Sequence, residues 1–333
     1  MFKKTRLIGF ALTILFLGLA LWRVDLQETG ATLATANYAY VLPAAALTLA
    51  GYFWRTYRWH RLIGPTKEIA TSSLFPILMI GFMANNVLPA RIGEFVRAYV
   101  LGREQQVRKS MALATIILER MFDGLILVLF LGVLSLFVTL PGWSSEVGWL
   151  GAVVFLGAAV GMGCILLREQ WALAIVDVLC LRLPDKYAGW VRDKAELFIS
   201  GLGALRQFNG VAQIIALSVI VWLFEALSYF LIIKGFSLPL STSTMAFAAV
   251  LMMVIVNLGI MIPSAPGYIG TFQFFGILAL SVFGVRREVA LSIAVVSHTM
   301  QYVMVTVIGL IFFWRHQLSL RELQAKTAEV SVD

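Results

Sequence analysis

Charge is what this sequence has least of. Only 13% of its 333 residues are Asp, Glu, Lys or Arg, 60% are hydrophobic, and the mean hydropathy is +0.88. A water-soluble domain of that make-up would leave large apolar patches exposed, so the bilayer is the solvent this composition fits. Histidine and cysteine are scarce as well, at three and two residues. Cys164 lies in an apolar run and Cys180 in a more polar segment; neither has zinc spacing or a Cys/His neighbour, so both are expected to be idle thiols. H-E-x-x-H, Walker A and G-x-S-x-G motifs are absent, and no G-x-G-x-x-G stands in a strand-to-helix setting. No metal or other cofactor is expected, and ATP-driven pumping within this chain is not. Any drive would be an ion gradient, the membrane potential or the gradient of a lipid itself.

The charge that is present is placed unevenly. Net charge is +8, with basic clusters at 3–6, 55–67, 97–109, 168–206 and 315–326. Elsewhere only Arg23, Lys234, Arg286 and Arg287 separate apolar runs. This positive-inside pattern puts both termini in the cytoplasm of a multi-pass protein, expected in a bacterial plasma (inner) membrane. Because the basic groups fringe apolar spans and form no separate domain, nucleic acid is excluded as a partner. Anionic lipid headgroups suit such a rim, at about 1 kcal/mol per basic residue near the surface. Lys3, Lys4 and Arg6 precede an apolar run without an A-x-A-like site, which predicts a retained span in place of a removable signal.

Apolar length and flanking charge predict an all-α polytopic membrane protein with about six full spans and two re-entrant helical hairpins. The full spans are 7–22, 38–54, 111–139, 149–167, 211–233 and 288–313. The second is expected to end at the interface with Trp54, Arg55, Tyr57, Arg58 and Trp59. The hairpins are 73–102, entering from the cytoplasm, and 245–284, entering from outside. This divides the chain into a first membrane half, 1–140, a second and inverted half, 149–314, and a cytoplasmic tail, 315–333. Residues 168–209 read as an amphipathic connector on the cytoplasmic surface.

Each hairpin breaks at the same phrase. Residues 89–95 and 266–272 share P-x-x-I-G-x-F, with Pro89 and Pro266 standing 177 residues apart. The break residues are Pro89 and Gly93 in one copy and Pro263, Pro266, Gly267 and Gly270 in the other. Repeated, interrupted membrane segments are how many transporters build a central site. A weaker echo follows: Glu119, Arg120 and Asp123 after the first hairpin correspond to Ser297, His298 and Gln301 after the second. Irregular backbone survives at membrane depth only where protein or water surrounds it, so the two breaks should meet and line a cavity.

Charged residues at that depth are costly, at least about 2.5–3.5 kcal/mol each on insertion scales. Arg91, Glu94, Glu119, Arg120, Asp123 and Glu225 are so placed, with Arg97 near the mouth. Two readings fit them. In one they form a structural network, Glu94 pairing with Arg120 or Arg91 and Asp123 capping the broken helix. In the other Arg91 and Arg120 bind a phosphate headgroup through their planar forks, and Glu94, Glu119 and Asp123 orient them or accept protons. Asn86, beside the break, caps backbone or joins the site. Glu225 and His298 are candidates for ion or proton coupling, and hydrogen bonding to neighbouring helices explains them equally. Gly157, Gly161 and Gly163 permit close helix contact without naming a partner, which leaves oligomeric state open.

The motifs N-N-x-x-P-A-R-I-G-E-x-x-R at 85–97, E-R-x-x-D at 119–123 and P-S-A-P-G-Y-I-G-T-F at 263–272 resemble the lysylphosphatidylglycerol synthase transmembrane family. That family is the flippase-like part of the bacterial multiple peptide resistance factor, and the resemblance covers about residues 7–314. It implies a transporter that moves an anionic or phosphate-bearing lipid between leaflets. The lipid would be a phospholipid, an aminoacyl-phospholipid or a polyprenyl phosphate. The implied site is Asn86, Pro89, Arg91, Gly93, Glu94, Arg97, Glu119, Arg120, Asp123, Pro266, Gly267 and Gly270. Similar domains accompany enzymes that use polyprenyl-phosphate sugars, so the alternative is a membrane enzyme, or the partner of a lipid-modifying enzyme. The longest polar segments, 168–209 and the stretch after Trp314, are too short for a soluble transferase domain, so lipid aminoacylation by this chain is not expected.

Overall fold

A backbone in hydrocarbon must satisfy its N–H and C=O groups within its own segment, and the apolar runs of this chain accordingly become helices. The computed structural model describes residues 2–65, 67–88, 92–167, 169–181, 188–189, 191–193, 196, 210–262 and 266–319. Pro89, Arg91 and Pro263 therefore lie outside the described residues, as do much of the expected connector and most of the tail. The helices are α1 (Phe2–Leu21), α2 (Leu26–Thr35), α3 (Val41–Ile63), α4 (Thr71–Val87), α5 (Gly93–Gln105) and α6 (Lys109–Ser135). They continue with α7 (Gly142–Leu167), α8 (Glu169–Cys180), α9 (Val211–Gly235), α10 (Thr242–Gly259), α11 (Thr271–Ser281) and α12 (Arg287–Arg315). There is no strand among the described residues.

Among these residues three helices, α9, α10 and α12, are long and apolar enough to cross a membrane; α2 and α3, bent by 70° at a short break, make a fourth if they are one span. Helix α6 has 27 residues and the length to cross, and it carries Glu119, Arg120 and Asp123 in its middle.

Two features differ from the expected span pattern. Helix α3 does not stop at Trp54. It runs on to Ile63, and Arg55, Arg58 and Trp59 are buried within the bundle, not placed at an interface. The reason is that acids on other helices neutralise these arginines, which no local reading of charge can see. The second feature is α2, a polar helix that hydropathy passes over. Asp25 caps it, its Oδ1 accepting from the backbone N–H groups of Gln27 and Glu28 at 2.8 and 3.1 Å. Glu28 pairs with Arg286, and Arg287 donates to the carbonyl of Leu19 at 3.1 Å, which fastens α1 and α2 to the start of α12.

The packing exchanges partners between the two halves. Helix α3 lies along α9, α4 along α12, and α10 along α6, while α4–α5 and α10–α11 are the two broken pairs. Small residues let backbones approach in these seams. Thr48 donates to Ser228 at 2.8 Å between α3 and α9. A Cβ on Gly309 of α12 would lie 2.3 Å from Met83 Cβ and 2.7 Å from the Met79 carbonyl of α4.

The two breaks touch. Gly267 holds φ +74, and a Cβ there would lie 3.4 Å from the carbonyl oxygen of Asn86, at the end of α4. Gly270, with φ +83, sits flush on α1, where a Cβ would meet Leu17 N at 2.8 Å and Thr13 O at 2.9 Å. Only glycine adopts that backbone without strain and fits that gap. Gly270→Ala should therefore cost at least about 1–3 kcal/mol of backbone strain, before the clash with α1 is counted. A thermal unfolding midpoint in detergent that matches the wild type would contradict this packing.

Candidate functional site

The charged residues of α3, α5, α6 and α9 converge on one another. Arg55 and Arg58 stand three apart on α3, and Glu119 and Asp123 four apart on α6, so each pair shares one helix face. Arg58 Nη1 donates to Asp123 Oδ1 and to Ser218 Oγ of α9, both at 2.7 Å, and its Nη2 lies 3.3 Å from Glu119 Oε1. Arg97 of α5 donates to Glu119 Oε2 at 2.9 Å, with its guanidinium over the Trp59 ring at 4.1 Å. Arg120 Nη2 lies 2.9 Å from Glu119 Oε1 and 3.4 Å from Asp123 Oδ2. Arg55 spans Asp123, at 3.4 Å, and Glu225 of α9, at 3.1 Å, and rests on the Trp222 ring at 4.6 Å. Asn257 of α10 completes Glu225, donating to Oε1 at 2.9 Å.

Burial sorts this network. Glu119 and Arg58 are sealed, whereas the side chain of Arg120 is 30% exposed and that of Glu225 16%. The exposed side faces a cavity of about 380 Å³, lined by Arg55, Arg120, Asp123, Glu225 and Glu94, by Asn85, Asn86, Asn257 and Gln301, and by Tyr52, Tyr268 and His298. The Nε–H of Arg120 has no hydrogen-bond partner among the described residues. Arg97 and Glu119 stand behind the cavity wall and hold it.

Both breaks contribute to the wall. Asn85 Oδ1 accepts from Gly93 N at 2.8 Å, closing the start of α5, and its Nδ2 lies 3.4 Å from Glu94 Oε1. Asn86 Nδ2 donates to Thr306 Oγ1 of α12 at 3.0 Å. At the second break Gly270 N donates to Gln273 Oε1 at 2.8 Å, which fixes that amide and turns its Nε2 toward His298 Nδ1, 3.0 Å away. His298 Nδ1 is thus an acceptor, and the ring is held as the neutral Nε2–H tautomer, stacked on Phe272 at 4.4 Å.

The structure therefore brings together Asn86, Glu94, Arg120, Asp123, Glu225 and His298 at one cavity. Among the described residues Asp123 binds arginines and caps no broken helix, and the ion-pair partners of Arg120 are Glu119 and Asp123; the alternative pairing of Glu94 with Arg91 falls outside the described residues. Arg55 and Arg58 escaped the sequence reading, which assigned them to a basic span end. The signal that finds them is complementarity: two arginines on one helix face, two acids on another. No group of three or more His, Cys, Asp or Glu side chains arranged to hold a metal occurs among the described residues.

Comparison with known proteins gives the chain its relatives. Residues 6–309 match the family profile described as lysylphosphatidylglycerol synthase TM region. A UPF0104 membrane protein of Methanothermobacter thermautotrophicus is 26% identical over 83% of this chain and 85% of its own length. Another from Methanocaldococcus jannaschii is 23% identical over 90% of this chain and 91% of its own length. Glycosyltransferase AglD of Haloferax volcanii is 23% identical over 92% of this chain, which spans 53% of AglD. No solved structure gives a significant match. The apolar helices and the match over nearly the whole length agree: this is a multi-pass membrane protein belonging to the lysylphosphatidylglycerol synthase transmembrane-region family.

Proposed function

We propose that this protein is a flippase-like transporter that moves an anionic or phosphate-bearing lipid between the leaflets of a plasma membrane, as expected for the inner membrane of a bacterium. The observation that carries the reading is a cavity in which arginines, amides and carboxylates stand among apolar side chains such as Phe82, Trp222 and Phe272, in the middle of apolar helices and beside two touching backbone breaks. A cavity of about 380 Å³ has the size of a small-molecule site, so a headgroup would occupy it while the acyl or prenyl chains stay in the bilayer. Arg55 and Arg120 would take the phosphate, Asn85 and Asn86 would donate to it, and Arg91 of the first break would join them. Glu119 and Arg97 would hold Arg120 in place.

The topology belongs to the same proposal. The halves 1–140 and 149–314 would be inverted repeats, with hairpins entering from opposite sides, about six full spans and both termini cytoplasmic. The P-x-x-I-G-x-F repeat supports this, and so does the exchange of packing partners, in which α3, α4, α5 and α6 answer to α9, α10, α11 and α12. A rocking of one half against the other about the touching breaks would open the cavity to each leaflet in turn.

Similarity to a glycosyltransferase favours one second reading: a membrane partner, or an enzyme, that serves a lipid-linked sugar. Product formation by the purified protein from a labelled polyprenyl-phosphate sugar would select it. The transport reading is tested in proteoliposomes containing labelled phosphatidylglycerol. Asp123 keeps Arg55 and Arg58, and Glu119 keeps Arg58 and Arg97, when Arg120 is removed, so Arg120→Ala should fold. Loss of a charged hydrogen bond of about 1.5–3 kcal/mol predicts at least a roughly tenfold slower lipid movement. Wild-type rates in both Arg120→Ala and Arg55→Ala would refute the site.

A further inference from the structure

The cavity wall carries, among the described residues, two arginines, Arg55 and Arg120, against three carboxylates, Glu94, Asp123 and Glu225. Both arginines are already engaged by acids. A phosphate that takes the edge of Arg55 now held by Glu225 displaces that carboxylate, which must then be neutralised. We infer that binding of a lipid phosphate draws one proton from solvent onto Glu225, so that the headgroup and the proton enter the site together. This rests on the headgroup reading above and adds the coupling ion to it.

The geometry singles out Glu225. Asp123 faces three guanidiniums, those of Arg55, Arg58 and Arg120. Glu225 is held by one guanidinium, that of Arg55, and by the amide of Asn257. Arg55 is braced on the Trp222 ring and offers one edge to Asp123 and the other to Glu225. A phosphate oxygen that takes the second edge leaves Glu225 with an amide alone. A carboxylate without its cation in a low-dielectric site is costly to keep charged, and taking a proton removes that cost. The protonated acid still accepts from Asn257, so that bond survives the exchange.

Other titratable groups near Glu225 are poorer acceptors. Tyr52 of α3 and Tyr229 of α9 are neutral phenols, as is Tyr268 at the second break. His298 of α12 presents Nδ1 to a fixed amide donor, so protonating it would break that bond. Arg120 is a cation already. Glu94 is the rival, on the cavity wall with Asn85 beside it.

The test uses purified full-length protein in weakly buffered detergent solution with a pH indicator and a short-chain phosphatidylglycerol. That phosphodiester does not titrate near neutrality, so any proton taken up belongs to the protein. The expected result is about one proton per bound probe, with affinity rising up to tenfold for each unit that pH falls. Glu225→Gln, which keeps the bond from Asn257, should bind without uptake and with a flat pH dependence. Glu94→Gln, whatever its affinity, should still take up about one proton per bound probe. Binding by the wild type without proton uptake overturns the coupling while leaving the headgroup site standing. Uptake that persists in Glu225→Gln, or vanishes in Glu94→Gln instead, also overturns it. Absence of any binding removes the headgroup site and the coupling together.

Discussion

Glu119→Ala should be the most damaging single substitution in this chain. The Glu119 carboxylate is fully buried and shared by Arg58, Arg97 and Arg120. Its removal strands Arg97, whose side chain is 3% exposed, and leaves Asp123 facing three guanidiniums alone. Breaking a buried ion pair from one side costs about 3–5 kcal/mol, because the remaining charge stays desolvated. That is a large share of the roughly 5–15 kcal/mol that holds a typical domain. Thermal unfolding in detergent is the measurement, and Glu94→Ala is the comparison. Glu94 lines the cavity and meets only a long amide contact among the described residues, so its loss should cost no more than about 1.5 kcal/mol. Equal stability of the two variants would mean that the buried network does not bear on folding.

Gly93→Ala is expected to be nearly as severe, for a steric reason. A Cβ on Gly93 would lie 2.1 Å from the carbonyl oxygen of Gly81 and 2.5 Å from Asn85 Oδ1. The first contact is backbone, so no rotamer change relieves it. The second is the group that caps Gly93 N, so the substitution also unseats the start of α5. Overpacking of this kind costs about 1–3 kcal/mol and more where nothing can yield. Because Asn85 and Glu94 line the cavity, lipid movement should fall along with stability. Gly132 of α6 supplies the control: no atom stands within 4 Å of a Cβ there, and Gly132→Ala should be silent or slightly stabilising. A Gly93→Ala protein as stable and as active as Gly132→Ala would refute the close approach of α4 and α5.

These two residues also show how far the sequence could be read. Gly93 stood out because it repeats in P-x-x-I-G-x-F, and the repeat located both breaks. The expected pieces, 73–88 with 92–101 and 245–262 with 268–284, compare with helices at Thr71–Val87, Gly93–Gln105, Thr242–Gly259 and Thr271–Ser281. Glu119 stood out because acids are rare in apolar runs. Of its partners Arg97 and Arg120 stood out too, but Arg58 did not. Arg58 is 61 positions away in sequence, and a basic cluster at the end of an apolar run reads as orientation whenever its counter-ions are unknown. Helix α2 was missed because it is polar, held by a cap and by an ion pair to α12 that local hydropathy does not register.

Amino-acid order alone determined that this is a helical membrane protein, where its helices break, and which charges are too expensive to be accidental. Those properties follow from local hydropathy, from Pro and Gly backbone limits and from the cost of charge in hydrocarbon, all of which act over a few turns. Which arginine meets which acid was decided only by the folded bundle. So was the sealing of Glu119 behind a wall that leaves Arg120 and Glu225 facing the cavity. An ion pair between helices depends on how they pack side by side, and that packing is set by glycines such as Gly51 and Gly309 against surfaces far away in the chain.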